Sequence, residues 1–304
     1  MITALEKHEP RYLDPSGFST FTRCPAKFYF SRVLGLQQPG LGFASAPDFG
    51  TCIHLALPLC YSHDTLQEAQ LIFAEAWKGY GYGESDPKRN TARGCAMLEN
   101  FCRSRADGRA PYEILHFPAV TPPTAKLVSK DELPFLVDVG ADLPLAGRID
   151  LAIRWKVDGK VYPCDYKSTS EMSDRLFESF WNCPQALAYT LAMFHLTGEQ
   201  SPGLMIEAIK VSPKNDEVAL FPVTVDTHLL ERFLEDFKVL SSSLLACAQS
   251  RQWPRNCAMC SSYAAFGVPG FTCPYKNLCS VPDWTTLLTT YQQGKIFHPF
   301  EMEE

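Results

Sequence analysis

Residues 147–167 decide how this chain is read: Gly147-Arg148-Ile149-Asp150-Leu151-Ala152-Ile153-Arg154-Trp155-Lys156-Val157-Asp158-Gly159-Lys160-Val161-Tyr162-Pro163-Cys164-Asp165-Tyr166-Lys167. Side chains alternate faces along a strand. Over Gly147–Trp155 this puts Arg148 and Asp150 on one face and Ile149, Leu151 and Ile153 on the other. Over Lys160–Lys167 it puts Asp165 and Lys167 on a shared face. Asp158-Gly159 between the two runs is a hairpin signal, because Gly accepts the positive φ a tight reversal needs. Paired this way, two carboxylates and an ammonium converge.

Outward from that hairpin the period-2 pattern continues at Tyr112–Phe117, Pro134–Val139, Leu204–Val211 and Glu217–Val225. Helical spacing surrounds it. Residues 17–36 carry Phe21, Phe28, Phe30, Val33 and Leu34, and a second helix starts near Gly50. Asp64 and Gln67 have the spacing of a capping box ahead of Leu66, Ile72, Phe73, Ala76 and Trp77. Arg89–Arg103 and 171–196 are helical, the latter restarting at Asn182-Cys183-Pro184, since Pro suits a first turn. Asp226 caps a long helix through Phe233, Phe237, Leu240 and Leu244. The expected class is α/β, a central mixed sheet flanked by helices. Along the chain the expectation is an N-terminal helical region over 1–110, a sheet core over 111–250 and a Cys-rich tail over 251–304.

The length of 304 residues suffices for a substantial core. Lys and Arg number 28 against 34 Asp and Glu, a net charge of −6, which excludes a polybasic binder but not a locally basic cleft. Acid and base at Glu6 and Lys7 do not suit a signal peptide, and no apolar run approaches a membrane span. The expectation is a cytoplasmic chain in which thiols stay reduced. That makes the 12 cysteines the compositional anomaly. Cys52, Cys60, Cys95, Cys102, Cys164, Cys183 and Cys247 sit among apolar neighbours and read as core or incidental; Cys24, Cys257, Cys260, Cys273 and Cys279 do not.

Two carboxylates beside a lysine suit phosphodiester hydrolysis. Hard oxygen ligands take Mg²⁺ or Mn²⁺, which acidifies water and offsets phosphate charge, and a neighbouring ammonium stabilises charge that develops. Asp-x-Lys alone reads better as a surface ion pair on an edge strand, and Asp150 at a matching strand position narrows that.

Five motifs occur in order: Cys24-Pro25-Ala26-Lys27-Phe28-Tyr29-Phe30, Gly50-Thr51-Cys52-Ile53-His54, Gly147-Arg148-Ile149-Asp150, Asp165-Tyr166-Lys167 and Gln185-x-x-x-Tyr189. Together they resemble the PD-(D/E)XK nucleases of the RecB type, which include CRISPR-adaptation nucleases and phage exonucleases, over about Ser16 to Cys279. The resemblance implies a restriction-endonuclease-like core. It implies a metal shell of His54, Asp150 and Asp165, with Lys167 completing the catalytic set Asp150, Asp165 and Lys167. Gln185 and Tyr189, one helical turn apart and so on one face, would contact DNA together with Arg148. Glu132 is acidic but loosely spaced from Asp150 and stays outside the set.

Relatives of this kind carry a [4Fe–4S] cluster held by one N-terminal and three C-terminal cysteines. That implies Cys24, Cys260, Cys273 and Cys279, with Cys257 as the substitute for Cys260. A Cys₄ zinc site built from the tail alone is the rival reading. The implied substrate is DNA, at ends or as a single strand, with a helicase or recombination protein as partner class and no membrane. Basic residues that could line a channel are Arg23, Lys27 and Arg32, Lys88, Arg89 and Arg93, and Arg103, Arg105 and Arg109. The function expected is an exonuclease in recombination, repair or CRISPR-type DNA processing. The alternative is a catalytically silent DNA-binding scaffold with a zinc or iron–sulfur site.

Overall fold

The computed structural model describes residues 8–38, 45–117, 132–213, 217–260, 272–294 and 296–300. The chain forms two compact units, each discontinuous in sequence. One comprises residues 42–134 and 148–230; the other comprises 1–41, 135–147 and 231–304.

The first unit is built on five strands: β2 (Tyr112–Ile114), β5 (Leu151–Trp155), β6 (Val161–Thr169), β7 (Gly203–Lys210) and β8 (Val218–Thr224), in the order β2-β5-β6-β7-β8. β5 and β6 are the expected hairpin, antiparallel with Leu151 opposite Cys164 and Arg154 opposite Val161. Its turn runs through Lys156–Gly159; Gly159 takes a φ of 70°, and Asp158 caps the turn by accepting from the Lys160 amide. β6 and β7 are parallel, and the other pairs are antiparallel. A parallel pair needs a crossover. The crossover contains α6 (Asp174–Glu178) and α7 (Pro184–Thr197). The helical span expected over 171–196 is therefore two helices, separated around Asn182, whose φ is 56°.

The helices α3 (Ser45–Ala56), α4 (Leu66–Gly79) and α5 (Thr91–Arg105) share one buried cluster with the sheet, including Phe49, Phe73, Trp77, Phe101, Ile153 and Tyr166. Ser62 rather than Asp64 caps the short turn that leads into α4, accepting from the Asp64 amide. Cys52, Cys60, Cys102 and Cys164 are buried in this cluster, in line with free thiols acting as small hydrophobes.

Glu207 is fully buried in the middle of β7. A carboxylate there is tolerable only if paired and hydrogen-bonded. Arg105 supplies Nη2 at 2.7 Å and Nε at 3.0 Å to Oε1, and the Tyr112 hydroxyl donates to Oε2 at 2.6 Å. The Tyr112 hydroxyl lies 2.9 Å from that of Tyr61, which lies 2.9 Å from that of Tyr166. Arg105 is thus committed to the core and is not a channel residue.

The second unit contains α1 (Pro15–Arg23), α2 (Pro25–Phe28), a π-helical turn at Tyr29–Val33, β1 (Leu36–Gln37), the larger parts of β3 (Leu133–Val137) and β4 (Leu145–Ile149), most of α8 (Thr227–Ser250), α9 (Lys276–Ser280) and β9 (Gln292–Gln293). The helix expected over 17–36 is broken at Cys24, which is extended with φ −164°; Pro25 then opens the next helix. Pro clashes with a helical residue before it, so the break is written in the sequence. Phe18 packs against Phe233 and Phe237 of α8. Antiparallel β1 and β9 pair Leu36 with Gln293 and bring the two ends of the chain together.

Removing one partner of a buried ion pair leaves an uncompensated charge and costs about 3–5 kcal/mol. Arg105→Ala should lower the unfolding free energy measured by urea titration by an amount of that order. A loss under about 1 kcal/mol, the scale of an exposed pair, would show that Glu207 is not held as a buried ion.

Candidate active site

The nuclease-like residues gather in the sheet unit. The strand expected as one piece over 147–155 is interrupted: β4 ends at Ile149, β5 begins at Leu151, and Asp150 occupies the bend between them. The interruption turns its carboxylate toward the neighbouring strand, where Oδ2 accepts the Tyr166 amide at 2.8 Å. Asp165 and Lys167 project from β6 on the face opposite Tyr166, and Lys167 Nζ lies 2.5 Å from Asp165 Oδ2. Apart from that ammonium, this buried oxygen accepts no hydrogen bond.

Each face of the strand is served by a different helix. On one side α3 brings His54, with Nδ1 3.6 Å from Asp150 Oδ2. Close approach of α3 depends on Gly50, where a Cβ would stand 2.8 Å from Ser168 Oγ on β6. On the other side α7 brings Gln185, which donates from Nε2 to Asp165 Oδ1 at 2.8 Å. Pro184 occupies the first turn of α7, Cys183 caps it by accepting the Ala186 amide at 3.4 Å, and Gly198 closes it with φ 71°. Tyr189 is one turn beyond Gln185 and is buried. Arg148 pairs with Glu132 through Nε at 3.6 Å. Part of the cation expected to meet DNA is therefore already engaged, and the acid left outside the set is its partner.

Burial dominates the electrostatics. It lifts Asp165 above the usual carboxylate range, with Lys167 opposing and Asp150 reinforcing the shift. It lifts Asp150 as well, against Lys167, the Tyr166 amide and Arg148. Burial works against the charge on Lys167, but Asp165 and Asp150 outweigh it and hold the ammonium above its ordinary value. His54 is pushed down to about 4, chiefly by burial, so its ring is neutral at pH 7 and has a lone pair to offer. Cys183, read as incidental, belongs to this neighbourhood: its thiol is pushed up by burial and feels both Asp165 and Lys167. Only its position before Pro184 hinted at a capping role.

The second unit has its own cluster. Cys24, Cys260, Cys273 and Cys279 line one cavity together with Arg23 and Lys27. Cys257 is exposed and does not line it, although it is close enough to Cys260 to raise that thiol. Burial, then the neighbouring Cys24, Cys260 and Cys273, push Cys279 up to about 11. Four thiols lining one cavity are, as a donor set, of the kind that suits a thiophilic metal group. Among the described residues no three His, Cys, Asp or Glu side chains close tightly enough to clamp a single bare ion as they stand.

The profile of the PD-(D/E)XK nuclease superfamily matches residues 13–280, nearly the whole chain. The chain belongs to the PD-(D/E)XK nuclease superfamily. The mixed five-stranded sheet flanked by helices is the fold of that superfamily, whose members usually work with divalent metal ions. No curated protein matches the chain. Solved structures similar to it include a candidate exonuclease from Eubacterium rectale, at 11% identity over 90% of this chain and 93% of that one, with a TM-score of 0.48. Another is SSO0001, at 12% identity over 88% of each chain, with a TM-score of 0.32. Among the described residues no helix is long and apolar enough to cross a membrane.

The donor set of this superfamily member fits a hard divalent cation: an under-satisfied buried Asp165 oxygen, the Asp150 carboxylate and a neutral imidazole. Protons compete with a metal for such ligands. Both aspartates are raised, so their protons leave later than usual as pH rises, whereas His54 is already neutral well below pH 7. Mn²⁺ should therefore raise the unfolding temperature clearly at pH 7.5 and less at pH 5, relative to EDTA. Asp165→Asn should abolish the difference; an Mn²⁺ shift retained in that variant would place the cation elsewhere.

Proposed function

We propose that the protein is a metal-dependent deoxyribonuclease, and that it acts as an exonuclease on DNA ends or single strands. The observation that carries this reading is a pair of close contacts, His54 3.6 Å from Asp150 and Lys167 2.5 Å from Asp165, near enough to each other for Asp150 to act on Lys167 and His54 on Asp165, with Gln185 fixing Asp165. When bound, Mg²⁺ or Mn²⁺ would lower the pKa of water and offset the charge on the scissile phosphate. Asp150, Asp165 and His54 would hold it. The chain's own groups divide the rest of the work. Gln185 keeps one Asp165 oxygen occupied and so leaves the other to turn toward the cation. The Tyr166 amide does the same for Asp150. Lys167 remains protonated beside them, placed to orient the attacking water and to stabilise charge on the phosphate as the P–O bond breaks.

Scission from a chain end is favoured by the local character of the charge. A protein of net charge −6 does not bind duplex strongly as a whole. Contact must come from a short groove and the bound metal, which suits a strand end or a single strand. Repair, recombination or CRISPR-type processing, with a helicase or recombination partner, are the settings in which such an activity is used.

In the second unit Cys24, Cys260, Cys273 and Cys279 would hold a [4Fe–4S] cluster in a structural role, with Zn²⁺ as the competing occupant. Support comes from the cavity these four share and from the exclusion of Cys257 from its lining.

Two measurements separate these readings. On end-labelled single-stranded DNA with Mn²⁺, Lys167→Ala should cut at least about 100-fold more slowly, the scale of a preorganised charge at a developing anion. Equal rates in the variant and the parent would leave a DNA-binding scaffold as the better account. After anaerobic purification, Cys279→Ala should lose iron, the brown colour and solubility together, whereas one zinc per chain and no iron in the parent protein would exclude the cluster.

A further inference from the structure

Among the four cavity cysteines Cys24 is remote in sequence from the other three, and the segment just before Cys257 touches both groups. Residues Trp253–Asn256, which carry no regular secondary structure, link α8 to the short turn at Cys257–Met259. Three hydrogen bonds join the segment to the neighbourhood of Cys24. Pro254 accepts the Ala26 amide through its carbonyl at 3.1 Å, the Asn256 amide donates to Cys24 Sγ at 3.5 Å, and Asn256 Nδ2 donates to the Arg23 carbonyl at 2.9 Å. One bond joins it to the far end of the set: Arg255 Nη1 donates to the Cys279 carbonyl at 2.6 Å. Trp253 stacks on Tyr29, with ring centroids 5.1 Å apart, and so fixes where the segment starts.

The two ligands joined in this way lie at opposite ends of the chain. Arg255 and Asn256 are adjacent, so one short segment touches both the Cys24 and the Cys279 segments. The same segment leads directly through a single turn, closed by the Cys260 amide on the Cys257 carbonyl, to the third ligand. Cys260 in turn accepts the Cys273 amide through its carbonyl at 3.3 Å. Cys257 sits on the outward side of that turn and is exposed.

We propose that Arg255 and Asn256 form a strap that positions Cys24 and Cys279 for the metal group, and that the strap governs how firmly that group is retained. The proposal rests on the reading of Cys24, Cys260, Cys273 and Cys279 as one ligand set. The strap acts in two ways. It preorganises the two remote ligands, which slows opening of the site. It also supplies an N–H···S hydrogen bond to Cys24, and such bonds to ligand sulfur raise the reduction potential of an iron–sulfur group. Neither Arg255 nor Asn256 is part of the active site in the other unit.

The test uses the full chain purified with its metal under anaerobic conditions, the metal content of the parent protein being measured first. Release to a chelator is then followed by absorbance for the parent protein, Arg255→Ala, Arg255→Lys and Asn256→Ala. Arg255→Ala and Asn256→Ala should release the metal about five-fold faster or more, which is the scale of one hydrogen bond. Arg255→Lys, which keeps a charged donor for the Cys279 carbonyl, should recover much of the loss. Release at the parent rate in both alanine variants overturns the strap, whichever metal is bound. A parent protein that binds no metal at these cysteines overturns the ligand set itself, and the strap with it.

Discussion

The hydrogen bond from the Tyr166 amide to Asp150 Oδ2 is the constraint on which the nuclease-like site depends. It can form only because β5 and β6 are paired with Leu151 opposite Cys164, and because the chain bends at Asp150 just before that pairing begins. A one-residue slip of register would turn every side chain of β6 to the other face. Asp165 and Lys167 would then point into the apolar cluster and Tyr166 out of it. Register is pinned from both faces. Tyr166 is anchored through Tyr61 and Tyr112 to the buried Glu207–Arg105 pair, while Gln185 anchors Asp165 from the opposite side. The ionisable groups of the site are thus held by a frame that is itself polar where it is most buried. That is costly to assemble and resists rearrangement once satisfied.

Much of this was legible in the sequence for a physical reason. Alternation with period 2, bounded by Asp158-Gly159, is local information, and the β5–β6 hairpin is a local object. The class of fold, the hairpin and the grouping of Asp150, Asp165, Lys167, His54 and Gln185 followed from residues and motif order. The bend at Asp150 did not follow, because Ile149-Asp150-Leu151 contains neither Gly nor Pro, and the chain there passes from the β3–β4 pair into the five-stranded sheet. The Arg105–Glu207 pair joins residues 102 positions apart and has no local signature. Arg105 consequently read as part of a basic stretch when it is a core residue.

The cysteines show the same division. The sequence favoured Cys260 as the third ligand and kept Cys257 as its substitute, since the two lie on either side of a single turn. Three-dimensional placement separates them: Cys260 lines the cavity and Cys257 is exposed. Cys183 was grouped with the buried thiols, yet it caps α7 beside Asp165 and Lys167. The Pro184 that follows it was the only mark in the sequence that set it apart from a thiol inside a core. Two of the acidic residues behind the net charge of −6, Asp150 and Asp165, are raised by burial and lie near the Lys167 ammonium.

The most direct test of that account is where a divalent ion binds. A crystal of the protein soaked in Mn²⁺ and measured at the manganese absorption edge should give an anomalous peak within coordination distance of Asp150, Asp165 and His54, with Lys167 released from Asp165 Oδ2. A peak remote from these three side chains, or none at Mn²⁺ concentrations that support cleavage, would contradict the assignment of the site.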